Sequence, residues 1–171
     1  MTEELTKFSK AISYWLSEKG FPDFIITTIL AIIFFSMSTL IHETGHYIFG
    51  WALGCQSAIS HLDMITGTTT VMQCAQPSLI VIALAGPLFA FFIGLWLWFS
   101  EPNGRPRMLA LIMLFLSATL QLYPQYPLDM GKAIEWGLNP ILGWLIFIIV
   151  LGISFNLIIA EITEYEPWEK G

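Results

Sequence analysis

The chain has 171 residues, of which 56% are hydrophobic and only 12% charged, with a formal net charge of −6 and a mean hydropathy of +0.69. Soluble domains carry about 25% charged residues, so this composition excludes an ordinary soluble protein and points to an integral membrane protein of one domain. The negative balance, much of it from Glu161, Glu164, Glu166 and Glu169, argues against a nucleic-acid partner.

Residues Thr2 to Lys19 place Leu5, Phe8, Ile12 and Trp15 on one helical stripe, with Gly20 as a stop. An amphipathic helix over residues 1–23 is expected, lying along the membrane surface or packed on the bundle. Phe21-Pro22-Asp23 is expected to break the chain before the first span, and no small-residue cleavage site marks a signal peptide. Apolar runs then predict spans over about Phe24 to Leu53, Ser78 to Ser100, Met108 to Tyr123 and Ile141 to Ile162, the third short for a full crossing. The fold class is an all-α membrane protein of about four transmembrane helices, with a core over residues 24–162 and an acidic tail over 163–171.

Between the first two spans, Gly67-Thr68-Thr69-Thr70-Val71-Met72 is β-prone and follows a Thr66-Gly67 turn signal. A small β-hairpin is read here, with a plain loop as the alternative. As a hairpin, its edge strand could accept an extended peptide. Cys55 and Cys74 bracket the segment and could form a disulfide in an oxidising compartment, but free thiols are the favoured state because the spacing is not that of a redox or zinc pair. His61 reads as a surface or satisfied histidine rather than a ligand. Asn156, in the last span, reads as a hydrogen bond between helices.

The first span ends on chemistry. His42-Glu43-Thr44-Gly45-His46 is a complete H-E-x-x-H motif. Residues four apart share a helical face, so His42 and His46 can offer two imidazoles to one zinc ion. Glu43 is then placed as the general base that takes a proton from water activated by the metal. The bland reading is a satisfied polar cluster, but each ionisable residue in an apolar span costs about 2.5–3.5 kcal/mol on insertion scales, which favours function.

A catalytic zinc needs a third protein ligand, and Asp129 fits best, since Pro124 and Pro127 end the third span and let an irregular segment turn a carboxylate toward a neighbouring helix. The competing reading has Asp129 as a helix cap after Leu128.

His42 to His46, the segment Gln121 to Gly131 and the Ala85-Gly86-Pro87 element together resemble the site-2 protease family of intramembrane zinc metalloproteases, over Phe24 to about Lys132. The resemblance implies zinc ligation by His42, His46 and Asp129, with Glu43 as the catalytic base for peptide-bond hydrolysis. The expected partners are the lipid bilayer and a membrane-protein substrate with a locally unwound span, with substrate choice resting on the membrane core, the hairpin or a separate regulatory membrane partner. Three positions depart from the family pattern. Gln121 stands where asparagine is usual, Met130 replaces the first glycine after the aspartate, and Ala90 lies where asparagine is frequent. The alternative function is a catalytically silent zinc-binding or partner-binding membrane subunit of the same fold.

Orientation divides two arguments. With four spans, Lys7, Lys10, Lys19, Arg105, Arg107 and Lys170 lie on the side of the termini and Lys132 lies opposite. The positive-inside rule then makes the termini cytoplasmic, with the zinc motif toward the extracytoplasmic face. The family resemblance implies the reverse. Cytoplasmic termini are the expectation adopted here.

Overall fold

A computed structural model describes residues 21–62, 67–100 and 105–164. The surface helix expected within residues 1–20, the Thr66 turn position and the tail beyond Glu164 lie outside these residues. The elements, in order, are α1 (Phe21–Ala52), β1 (Gln56–Leu62), β2 (Gly67–Met72), α2 (Gln76–Ser100), α3 (Arg105–Gln121), α4 (Asp129–Glu135) and α5 (Pro140–Glu164).

Three helices are long and apolar enough to cross a membrane, over Ile25–Ala52, Gln76–Ser100 and Pro140–Ala160, and the apolar part of α3, Met108–Gln121, is shorter. At about 1.5 Å per residue, the 17 residues of α3 reach about 25 Å. Large apolar side chains such as Ile29, Ile32, Phe92, Ile148 and Phe155 are exposed, as required of faces whose solvent is lipid.

The expected break at Phe21-Pro22-Asp23 is not there. Residues Phe21, Pro22 and Asp23 are helical and belong to α1. At the other end, Gly54 adopts φ +76° and Cys55 N–H donates to the Gly50 carbonyl at 2.9 Å. This Schellman-type stop turns the chain from helix into strand.

β1 and β2 form the predicted hairpin, an antiparallel pair with Gln56 opposite Met72 and Leu62 opposite Gly67, irregular between Ile59 and His61. Its register corrects the reading of the cysteines as free. Cys55 precedes the first paired residue and Cys74 follows the last, so antiparallel pairing brings their Cα atoms to 5.2 Å and they form a disulfide, within the usual 4.4–6.8 Å.

The core lies where α2 and α3 meet, with Phe91, Leu111, Leu114, Phe115 and Leu122 buried and α5 adding Val150. Close approach of α1 to α2 depends on glycine. A Cβ built on Gly45 would stand 2.8 Å from the Ala85 carbonyl oxygen and 2.9 Å from Gly86 Cα. Without a hydrophobic drive between helices in lipid, such backbone proximity is what gives van der Waals attraction between them. Among the described residues, Asn156 does not bridge helices as expected. Its amide donates to the Gly152 carbonyl of its own helix at 2.7 Å.

Candidate metal centre

Alternation of direction through α1, α2 and α3 brings the hairpin and the segment after α3 to one end of the bundle. There α1 supplies His42 and His46, buried at 5% and 7% exposure, and Glu43 at 5%. Thr44, at the variable position of the motif, faces away and bonds back to the Leu40 carbonyl at 2.7 Å.

The segment between α3 and α4 turns sharply, including a cis Tyr126–Pro127 peptide, and delivers Asp129 as the first residue of α4. The helix is capped by Leu128 with no side-chain cap bond. Asp129 therefore does not cap, and its carboxylate turns into the bundle instead. Gly131 permits this path, because a Cβ there would lie 2.6 Å from the Gln125 carbonyl oxygen.

The expected site residues meet. Asp129 Oδ2 is 2.8 Å from His42 Nε2 and 3.2 Å from His46 Nε2, and the two Nε2 atoms are 3.0 Å apart. Tetrahedral zinc with bonds of about 2.0–2.1 Å sets its donors about 3.3 Å apart, so this triangle is close to the size required.

Protonation supports the same fit. His46 Nδ1 lies 2.6 Å from the Ile82 carbonyl, which can only accept, so Nδ1 carries the proton and a neutral ring presents its Nε2 lone pair to the other two donors. Pro87, five residues on from Ile82, lacks the N–H that would bond the Ala83 carbonyl, leaving this turn of α2 short of a donor. His42 stands edge-on to His46, with centroids 4.7 Å apart, and its buried Nδ1 has no hydrogen-bond partner among the described residues. Two imidazoles and a carboxylate oxygen so close together could hold a metal ion.

Glu43 belongs to the same cluster, with ligand-capable atoms of His42, Glu43 and His46 all within 4.8 Å. Asp129 closes the tighter triangle, and Glu43 Oε2 instead accepts from the Thr69 hydroxyl at 2.6 Å. These residues line a cavity of about 440 Å³ that also takes in Gln121 and Lys132. His61 lies on β1 and does not line it.

Among known proteins, the family model described as Peptidase M50B-like matches residues 23–154, most of the chain. The chain belongs to this family. Membership bears out the site-2 protease resemblance, and this M50B-like chain is accordingly an integral membrane protein of a peptidase family. No curated protein and no solved structure matches it.

Several site residues had no signature in the sequence. The Ile82 carbonyl carries no residue-type information, and Thr69 is one of three consecutive threonines. Lys132, whose Nζ lies 3.4 Å from Asp129 Oδ1, stands one turn beyond Asp129, and that spacing was the available clue. Of the departures from the family pattern, Gln121 lines the cavity, whereas Ala90 and Met130 are fully buried in the core.

Proposed function

We propose that this protein is a zinc metalloendopeptidase that hydrolyses peptide bonds of membrane-protein substrates within or beside the bilayer. The observation that carries the reading is the convergence of His42 Nε2, His46 Nε2 and Asp129 Oδ2 beside the Glu43 carboxylate. His42, His46 and Asp129 hold the metal, and Glu43 is the general base. When bound, zinc supplies Lewis-acid polarisation and activation of water. Glu43 Oε2 is engaged by Thr69, which leaves Oε1 to take a proton from water and pass it to the leaving amine. The substrate span must unwind locally, because an intact helix keeps its carbonyls in hydrogen bonds.

The membrane core over residues 24–162 does this work. Substrate choice rests on the membrane core, the hairpin or a separate regulatory membrane partner. The disulfide at the base of the hairpin supports an oxidising, extracytoplasmic environment for that end of the bundle, and so supports cytoplasmic termini.

The test compares Glu43→Gln with Asp129→Ala in purified protein. Glu43→Gln is expected to retain one zinc per chain and to lose cleavage of a co-expressed single-span membrane reporter by at least about 100-fold. Asp129→Ala is expected to lose zinc as well. Turnover by Glu43→Gln at the wild-type rate would refute the assigned base, and a wild-type chain that binds zinc without cleaving would favour the silent-subunit alternative.

A further inference from the structure

Glu43 is held by the hairpin as well as by its own helix. The Thr69 hydroxyl lies 2.6 Å from Glu43 Oε2 and 3.2 Å from the Glu43 backbone carbonyl. A hydroxyl has one proton, and the shorter contact to the charged acceptor takes it. Two residues earlier on the same strand, Gly67 lies against the other side of the carboxylate. A Cβ built there would overlap the Glu43 side chain, 2.9 Å from Cδ and 3.0 Å from Oε1. β2 thus confronts both carboxylate oxygens, with a donor on Oε2 and a glycine making room for Oε1.

Glutamate has three rotatable side-chain bonds, and free rotation spreads its carboxylate over several positions. A base must stay within about 0.5 Å of its working position. Burial restricts Glu43 without selecting one orientation, whereas a directional bond to Oε2 selects one. The hairpin is itself closed at its base by Cys55–Cys74, which limits the drift of β2 relative to α1.

We propose that Thr69 is a positioning residue for Glu43, with Gly67 supplying the space, so that β2 is part of the catalytic assembly. This rests on the assignment of Glu43 as the base. The competing explanation for the contact is that Thr69 only satisfies a buried carboxylate for the sake of folding.

Thr69→Val keeps the shape of the side chain and removes the hydroxyl, and Thr69→Ser keeps the hydroxyl. Both are to be compared with wild type in detergent, using a doubly tagged single-span reporter with a Pro-Gly pair in its membrane segment. Zinc content and thermal unfolding are measured on the same samples. Thr69→Val is expected to lower kcat about 10- to 100-fold, part of the 10²–10⁴-fold a general base contributes, with KM within about twofold and zinc unchanged. Thr69→Ser is expected to recover most of the lost kcat. In a Glu43→Gln background, Thr69→Val is expected to have no further effect on turnover, because a residue acting through Glu43 has nothing left to position. Full activity of Thr69→Val alongside an inactive Glu43→Gln would overturn this inference alone. An active Glu43→Gln would overturn the reading beneath it.

Discussion

Gly86→Ala adds one methyl group where α2 passes His46. A Cβ built on Gly86 overlaps the imidazole, lying 2.5 Å from Cε1 and 2.8 Å from Cδ2, whereas ordinary contact begins at 3.4 Å. The ring must retreat by about 1 Å, or α2 must. If α2 moves, it carries the Ile82 carbonyl away from His46 Nδ1, now at 2.6 Å, and strains its packing on α3 through Phe91 and Phe115. Either route displaces Nε2. Metal–ligand distances are held to about 0.2 Å, so a shift of about 1 Å removes His46 from the ligand set. Loss of an outer hydrogen bond alone typically costs about 10–100-fold in metal affinity, and loss of the ligand costs more. Zinc affinity is therefore expected to fall by at least about 100-fold. The assay is competition with a chelator series on detergent-purified protein, with thermal unfolding monitored in parallel. Gly152→Ala is the control, because a Cβ there meets nothing within 4 Å. Gly86→Ala binding zinc within threefold of wild type would refute the packing of α2 on His46 and the assignment of His46 as a ligand.

Two further outcomes test the hairpin and its surroundings. Replacing Cys55 and Cys74 by serine removes a crosslink between residues separated by 19 positions; the chain-entropy relation values such a closure at about 3 kcal/mol. Proteolytic nicking between β1 and β2 is expected to accelerate and kcat to fall while zinc content holds, and unchanged nicking would show that strand pairing alone secures the hairpin. In the same cysteine-free background, a single cysteine at Leu62, which is 44% exposed, is expected to react with a membrane-impermeant reagent on intact cells, and one at Lys10 is expected not to react. Labelling at Lys10 but not at Leu62 would reverse the orientation proposed from the charge count and the disulfide.

How much of this was legible in advance depended on the range of the signal. Apolar runs long enough to span a bilayer, and an H-E-x-x-H motif whose histidines share a helical face, are local patterns, so the spans, the histidine pair and Glu43 were readable residue by residue. The approach of Asp129 to the histidines was readable at longer range because the prolines before it announce irregular backbone that can turn a carboxylate toward a neighbouring helix. The break expected at Pro22 failed because a proline does not break every helix that holds it, and composition does not reveal which positions tolerate one. The cysteines were misread because their pairing follows from strand register, which sets positions 19 apart opposite one another. Only tertiary structure could decide that the Ile82 carbonyl orients His46 across 36 residues, that Thr69 holds Glu43 across 26, and that Gly45 and Gly86 let two helices touch. Backbone acceptors, hydroxyls and missing side chains have no characteristic spacing. Their roles exist once helix packing has fixed the distances between them, and that packing is a property of the whole bundle.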